Sequence, residues 1–318
     1  MKFKDYPIHP SILQAIEDLG YKRPTDIQFK VIPHILNGED VMAVAPTGTG
    51  KTAAFAIPLI HKVNGYARKS GVQVLVMVPT RELARQIEQV FLDLSKHLSI
   101  SILSLIGGVE QESQIKKLKE NTQILITTPG RMFDLIAQGY LDISTVKMWV
   151  LDEADLMLDL GFARDIVDAK RKLPRYLQTL FFTATINKKI KSLAYDVVKD
   201  AIRIQITPGN PVSKNVDHQV MMVEMDDKRF FLENILIEYP EERFMIFVRT
   251  KVRAERVQKA MERIGISVEI LHGGKEQSER FNTLERFRSG VNKVLVTTDV
   301  ACRGIDIPEV EYVINYDL

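Results

Sequence analysis

Short apolar segments rich in β-branched residues alternate along this chain with longer amphipathic segments. An apolar run of this length, followed by a polar loop, predicts a strand that is buried on both faces. In the first two thirds of the chain such runs are DVMAVAP, VQVLVMVP, TQILITTP, KMWVLDEAD and QTLFFTAT. The segments between them include the helical patterns ELARQIEQVFLDLSKHL and GRMFDLIAQG. This alternation predicts an α/β fold in which helices cover both faces of a mostly parallel sheet.

One segment, residues 207–215, interrupts the alternation. Its sequence, TPGNPVSKN, contains two prolines, a glycine and no apolar period, which is typical of a linker. Strand patterns then resume in RFMIFVRT, SVEILHGG, KVLVTTDVA and VEYVINYD, with a helical pattern in VRAERVQKAMERIG. Because 318 residues is long for a single core, we predict two α/β domains, residues 1–206 and 216–318, joined by a flexible linker.

The composition is that of a globular protein of a reducing compartment. No apolar run is long enough to span a membrane, and the start of the chain lacks the apolar segment of a signal peptide. A single cysteine, Cys302, excludes an intramolecular disulfide. These features predict a cytoplasmic protein that contacts no membrane. The 43 Lys and Arg residues nearly balance the 41 Asp and Glu residues, so a polyanion would be held by placed contacts rather than by bulk charge.

The segment APTGTGKT, residues 45–52, lies between a predicted strand and a predicted helix. Its two glycines let the backbone curl so that N–H groups face inward, and the helix N-terminus completes a cradle for phosphate. Lys51 would reach the terminal phosphates, and the Thr52 hydroxyl would bind Mg²⁺. Ala45 stands where the strict P-loop pattern has glycine, so the match is imperfect. The predicted nucleotide-binding residues of this loop are Pro46, Thr47, Gly48, Thr49, Gly50, Lys51 and Thr52.

The segment MWVLDEAD brings two carboxylates to the end of a predicted strand. Ligands of parallel α/β sheets bind at the C-terminal ends of the strands, so we expect Asp152 and Glu153 beside the P-loop. Asp152 would hold Mg²⁺, and Glu153 would polarise the attacking water. Together with Lys51, these residues make nucleoside triphosphate hydrolysis the leading reaction. A small-molecule kinase would share the P-loop but would have no use for a second domain.

The segment DEAD, with APTGTGKT before it and TAT after it, closely resembles the motifs of the DEAD-box RNA helicases. The resemblance covers the chain from Phe3 onward and implies two RecA-like domains that use ATP and Mg²⁺. Residues 20–28, GYKRPTDIQ, resemble the family's adenine-reading segment, which here contains Tyr21, Arg23 and Gln28. The resemblance implies that the Gln28 amide forms two hydrogen bonds with the adenine edge, which its donor and acceptor match, and that Phe3 stacks on the base.

Further segments resemble those with which the family grips the RNA backbone, namely PTRELA, GG and TPGR in the first domain and IFVRTK, LHGGKEQSER and TTDVACRGIDI in the second. Arginines there can donate to phosphates, and glycines let the two backbones approach closely. Backbone and ribose contacts imply little sequence preference and a preference for RNA over DNA. The implied RNA-binding residues are Pro79, Thr80, Arg81, Gly107, Gly108, Thr128, Gly130, Arg131, Arg249, Gly273, Gln277, Arg280 and Thr298.

Two other roles are implied by the same resemblance. In FFTAT, the Thr183 and Thr185 hydroxyls would donate hydrogen bonds toward the Asp152–Asp155 loop and so couple the nucleotide site to the RNA site. The family usually has serine at position 183, and threonine keeps the hydroxyl. In the second domain, Asp306 would contact the ribose of the nucleotide.

The chain ends at a predicted strand, whereas in the family a further segment follows that contains the motif His-Arg-Ile-Gly-Arg-x-Gly-Arg. That motif is absent from these residues, so we expect the second domain to be incomplete. The resemblance implies a monomeric ATP-dependent RNA helicase that separates RNA duplexes locally by domain closure. Two alternatives stay open, an ATP-dependent RNA clamp with little turnover in this form, and a DNA-directed helicase on the same core.

Overall fold

The computed structural model describes residues 2–66, 71–206, 216–302, 305 and 307–317. The chain divides into two compact units, Met1–Gly209 and Asn210–Leu318. The predicted linker, residues 207–215, lies outside the described residues. Within them, no helix combines the length and the apolar character that a membrane crossing requires.

The first unit is built on a parallel sheet of seven strands in the order β3-β4-β2-β5-β6-β1-β7. Five of these strands coincide with the five predicted apolar runs, which confirms the expected fold class. The strands are β1 (Val41–Val44), β2 (Val74–Met77), β3 (Ile102–Leu105), β4 (Ile124–Thr127), β5 (Met148–Leu151), β6 (Gln178–Thr183) and β7 (Ile202–Gln205).

Helices cover both faces of this sheet. On one face Phe55 contacts Phe182 of β6 and Phe91, at ring-centroid distances of 5.1 and 6.1 Å. On the other face Trp149 and Phe181 belong to a core cluster with residues of α6, α8 and α9. The α-helices described in this unit are α1 (Pro10–Asp18), α2 (Asp26–Leu36), α3 (Lys51–Gly65), α4 (Arg81–Ser95), α5 (Gln111–Lys119), α6 (Pro129–Ala137), α7 (Ala154–Asp159), α8 (Ala163–Lys172) and α9 (Lys188–Val197).

The second unit contains a parallel sheet of four strands in the order β11-β8-β10-β9. Buried Phe244 and Ile246 of β8 pack in a core with residues of two helices, and Leu271 and Leu295 form a second cluster on other strands. The strands are β8 (Phe244–Val248), β9 (Glu269–Leu271), β10 (Val294–Thr298) and β11 (Tyr312–Asn315). The helices described in this unit are α10 (Lys228–Glu238), α11 (Lys251–Glu262), α12 (Gln277–Arg288) and α13 (Asp299–Cys302).

Strand order decides which loops of the first unit meet. β5, β6 and β1 are neighbours, and their parallel register pairs Leu151 with Phe181 and Val44 with Thr183. The loops that follow these three strands therefore leave the same edge of the sheet side by side. Those loops carry the P-loop, the DEAD segment and the TAT segment.

Candidate functional site

The P-loop joins β1 to α3 and is held by its own hydrogen bonds. The Thr49 hydroxyl donates to the carbonyl of Pro46 over 2.8 Å. Gly48 and Gly50 have φ angles of +74° and +89°, in the left-handed region that glycine adopts without strain. A Cβ at position 50 would also lie 2.5 Å from Nε2 of Gln28. Glycine at position 50 is therefore required both by the turn and by the close approach of Gln28.

Lys51, the first residue of α3, forms a buried ion pair with the DEAD segment. Its Nζ donates to Oε1 of Glu153 over 2.8 Å. Glu153 has a φ of +50°, which is uncommon for a residue other than glycine, and its N–H donates to Oδ1 of Asp152 over 3.0 Å. The three predicted catalytic side chains are thus brought together in one buried cluster.

Asp152 is almost completely buried within this cluster. Burial, with the neighbouring Glu153 carboxylate, raises the pKa of Asp152 to about 7, although the Lys51 ammonium acts in the opposite direction. Asp152 and the half-buried Thr52 are the hard oxygen donors that Mg²⁺ prefers. No group of three or more His, Cys, Asp or Glu residues that could hold a metal occurs among the described residues.

The loop after β6 is hydrogen-bonded to the DEAD segment through Thr185. Both the N–H and the hydroxyl of Thr185 donate to Oδ2 of Asp155, each over 2.9 Å. The expected hydrogen bond from Thr183 to the same loop is not formed, because its hydroxyl donates to the carbonyl of Thr185 over 2.9 Å. Thr183 is fully buried at the end of β6, where that carbonyl is the acceptor within reach.

The predicted adenine-reading residues differ in how accessible they are. Gln28 is buried, its Oε1 accepts from the N–H of Thr25 over 3.0 Å, and its Nε2 donates to the carbonyl of Gly50 over 3.2 Å. An amide has a second N–H and a second lone pair, so one donor and one acceptor remain for a base. Phe3 lies in a single 3₁₀ turn and is only 4 % exposed, so its ring is enclosed by protein rather than presented for stacking. Tyr21 and Arg23 are exposed.

The predicted RNA-binding residues of the first unit follow β2, β3 and β4, either in loops or in the first turns of α4 and α6. The Thr80 hydroxyl caps α4 by accepting from the N–H of Leu83 over 3.3 Å, and Pro79 before it is buried. A Cβ at Gly107 would lie 3.1 Å from a guanidinium nitrogen of Arg81, so this glycine makes room for the arginine. Gly108 follows with a φ of +75°.

The loop after β4 leads into α6, whose N-cap residue is Thr128. Gly130 is exposed, with open space where a Cβ would stand. Nη1 of Arg131 donates to Oε1 of Gln111 over 2.9 Å, whereas Nε and Nη2 are buried and have no hydrogen-bond partner among the described residues. Buried guanidinium donors without an acceptor suit an anionic ligand.

The predicted RNA-binding residues of the second unit follow its own strands. Thr298 ends β10, and the N–H of Arg249 donates to Oδ2 of Asp317 over 3.4 Å. Nη1 of Arg280 donates to the carbonyl of His272 over 3.4 Å, beside exposed Gly273, and Gln277 begins α12. These residues therefore lie at the C-terminal ends of β8, β9 and β10. Asp306 lies outside the described residues.

Two family models match the chain in the regions of these two units. Residues 25–193 match the DEAD/DEAH box helicase family, which is more than half of the chain. Residues 227–318 match the helicase conserved C-terminal domain. The chain belongs to the DEAD-box RNA helicase family.

Relatives within the DEAD-box family include the ATP-dependent RNA helicase DeaD of Mycobacterium tuberculosis, 38 % identical over 99 % of this chain and 56 % of that protein. DeaD of Escherichia coli is 37 % identical over 99 % of this chain and 50 % of its own length. The chain thus spans about half the length of the curated relatives it matches. Among solved structures, S. cerevisiae Dbp5 bound to RNA and ADP BeF3 is 31 % identical, with a TM-score of 0.89 over 100 % of this chain and 81 % of that one. This match confirms two RecA-like domains.

Two residues that contact the candidate RNA-binding segments after β3 and β4 were not predicted from the sequence. Gln111 contacts Arg131, and Gln114 forms hydrogen bonds to the backbone of Ile106, directly before Gly107. Both lie at the start of α5, three positions apart. The only sequence signal is that spacing, which puts two amides on one helix face.

Proposed function

We propose that this protein is an ATP-dependent RNA helicase that binds the backbone of single-stranded RNA and separates duplexes locally. The observation that carries the proposal is the buried cluster of Lys51, Asp152 and Glu153 beside a P-loop, in a chain of the DEAD-box family. Arg81 and Arg131 lie in the first turns of α4 and α6, which follow β2 and β4 at the C-terminal edge of the first sheet. A nucleotide site and a polyanion site on one sheet are what RNA-dependent ATP hydrolysis requires.

The ion pair between Lys51 and Glu153 would break when ATP binds, and each side chain would take a new partner. In this structure the Lys51 ammonium is neutralised by Glu153 over 2.8 Å. A triphosphate in the P-loop would attract Lys51 more strongly than one carboxylate does, because it carries several negative charges. Glu153 would then be released to polarise the attacking water as general base. Lys51 would stay on the terminal phosphates and stabilise the charge that develops there.

Asp152 and Thr52 would hold Mg²⁺, which when bound neutralises charge on the β- and γ-phosphates. A cation beside Asp152 would favour the ionised form of this buried carboxyl, which its burial otherwise disfavours. The cluster therefore holds a carboxylate whose charge state follows the occupancy of the site.

RNA would be held chiefly through its backbone. The buried donors of Arg131 and the exposed turn at Gly130 suit a phosphate that approaches closely. The likeness to Dbp5, solved with RNA and ADP BeF3, supports such a site. We further propose that ATP and RNA each contact both units, so that their binding favours a closed arrangement in which a duplex is locally separated.

The proposed function is tested by ATP hydrolysis with and without single-stranded RNA, beside the Glu153→Gln variant. We expect RNA to stimulate turnover and E153Q to lower it by about 100-fold, because the general base is lost. Binding of ATP and RNA without RNA-stimulated turnover would instead identify an ATP-dependent clamp. Equal stimulation by single-stranded DNA of the same sequence would overturn the assignment to RNA.

A further inference from the structure

We propose that Gln111 and Gln114, at the start of α5, are positioning residues for two of the RNA loops. This inference rests on the proposed RNA-binding function and adds residues that the family resemblance did not imply. Gln114 holds the backbone at the start of the glycine loop after β3. Gln111 holds Arg131, which follows β4. Neither would contact the RNA itself.

Gln114 fixes the point at which the glycine loop leaves β3. Its Oε1 accepts from the N–H of Ile106 over 3.0 Å, and its Nε2 donates to the carbonyl of the same residue over 3.1 Å. Nε2 also lies 3.3 Å from the carbonyl of Glu110, on the far side of the loop. The side chain is only 5 % exposed. Because glycines restrict the backbone least, the path of Gly107 and Gly108 depends on such anchors at both ends of the loop.

Gln111 fixes the guanidinium of Arg131. Its Oε1 accepts from Nη1 of Arg131 over 2.9 Å, while its Nε2 donates to Oε1 of Gln138 over 2.6 Å. Because Arg131 can only donate, the Gln111 oxygen faces the arginine, and the Gln111 nitrogen faces Gln138. Since guanidinium is planar, holding Nη1 also fixes the directions of Nε and Nη2, the two buried donors that have no partner among the described residues.

The amide is the group that fits this role at position 111. A carboxylate there would hold Arg131 at least as firmly, but its charge would compete with a phosphate for the same guanidinium. An apolar side chain would leave the guanidinium free to rotate. A neutral acceptor orients Arg131 and leaves its positive charge available, which distinguishes positioning from mere structural support.

The Gln114 half of the proposal is tested with the Gln114→Met variant and a labelled single-stranded oligo(U) in the presence of a non-hydrolysable ATP analogue. We expect the Kd for RNA to rise about tenfold, with the Kd for ATP and the kcat at saturating RNA unchanged. The matched control is Gln178→Met, which also removes a buried, hydrogen-bonded glutamine but lies at the opposite edge of the sheet. A Kd for RNA that is equal in Q114M and Q178M would overturn this half.

The Gln111 half is tested with Gln111→Glu, because this variant keeps the contact to Arg131. We expect unfolding at the same temperature or above, together with RNA binding about tenfold weaker. In an Arg131→Ala background Q111E should have no further effect, since Gln111 acts through that arginine. Additive losses, or unchanged RNA binding, would overturn the proposal. If the unaltered protein bound no RNA, both the proposed function and the positioning role would be wrong. If Q114M and Q111E bound RNA as the unaltered protein does, only the positioning role would be wrong.

Discussion

Asp152 combines deep burial with two charged neighbours. Its carboxyl lies beside the Lys51–Glu153 ion pair, and burial together with Glu153 raises its pKa to about 7. In the unfolded chain the pKa of an aspartate is near 3.9. Between these two values the folded protein holds a proton that the unfolded chain has released. The stability contributed by this group is therefore present at low pH and is lost as the pH rises toward about 7.

The Asp152→Asn variant should remove this pH dependence. Asparagine keeps an oxygen that can accept from the N–H of Glu153, but it carries no charge. We measure the stability of D152N minus that of the unaltered protein, without nucleotide or Mg²⁺. We expect this difference to be about 2 kcal/mol larger at pH 8 than at pH 5, in favour of D152N. Urea unfolding at the two pH values measures the difference, with the exposed Asp168→Asn as control. A stability difference that does not change with pH would contradict the raised pKa.

Residue types at the nucleotide site could be predicted from the sequence, whereas their hydrogen-bond partners could not. Spacing within APTGTGKT and DEAD suffices to identify Lys51, Asp152 and Glu153, but nothing local indicates that Lys51 pairs with Glu153 across 102 positions. Thr183 shows the same limit, because its hydroxyl donates to the carbonyl of Thr185 and not to the predicted loop. Gln28 likewise has a partner that was not predicted, because it forms a capping box with Thr25 at the start of α2.

At the scale of elements, the interior strands of the first sheet were predicted and the edge strands were not. β3 and β7 are the two ends of the strand order. β7 reads Ile-Arg-Ile-Gln, and its alternate residues are exposed, so it lacks the continuous apolar run by which the interior strands were recognised. β7 has only one neighbouring strand, so its alternate residues can be polar and exposed.

The junction of α2, α3 and β6 depends on one buried glutamine. Nε2 of Gln178 donates to the carbonyls of Ile35 and Glu39 over 3.0 and 2.7 Å, and its Oε1 accepts from Nζ of Lys62 over 2.9 Å. Ile35 lies in the last turn of α2, where carbonyls lack partners within the helix. Gln178 thus links the end of α2, the segment before β1 and the Lys62 side chain of α3.

The Gln178→Met variant should lower the free energy of unfolding by about 2–3 kcal/mol, because it removes the donor of the Glu39 carbonyl and one of the two acceptors of the Lys62 ammonium. The control is Gln73→Met, since the Gln73 amide is equally buried but has no hydrogen-bond partner among the described residues. Replacing that amide with an apolar group of similar size should change stability little or raise it. Urea unfolding measures the free energy of unfolding of both variants. An equal decrease in the two would mean that the hydrogen bonds of Gln178 do not stabilise the fold.

At the scale of the whole molecule, the sequence predicted two α/β domains from a single break in its alternation. Each compact unit contains one predicted domain, and each family match lies within one of them. The sequence does not predict whether the two units act independently or are coupled by their ligands. With a net charge of only +2, RNA binding would depend on placed residues in each unit rather than on overall attraction.

Coupling between ATP and RNA is the prediction that belongs to this scale. If both ligands contact both units, a non-hydrolysable ATP analogue should tighten binding of single-stranded RNA about 10- to 100-fold. By thermodynamic linkage, saturating RNA should tighten binding of the analogue by the same factor. Fluorescence titrations in both directions, at one salt concentration, measure the two factors, and Thr185→Ala tests whether the contact with Asp155 transmits the effect. Tight binding of each ligand without mutual enhancement would show that each unit binds its ligand independently, and the proposed closure would then be wrong.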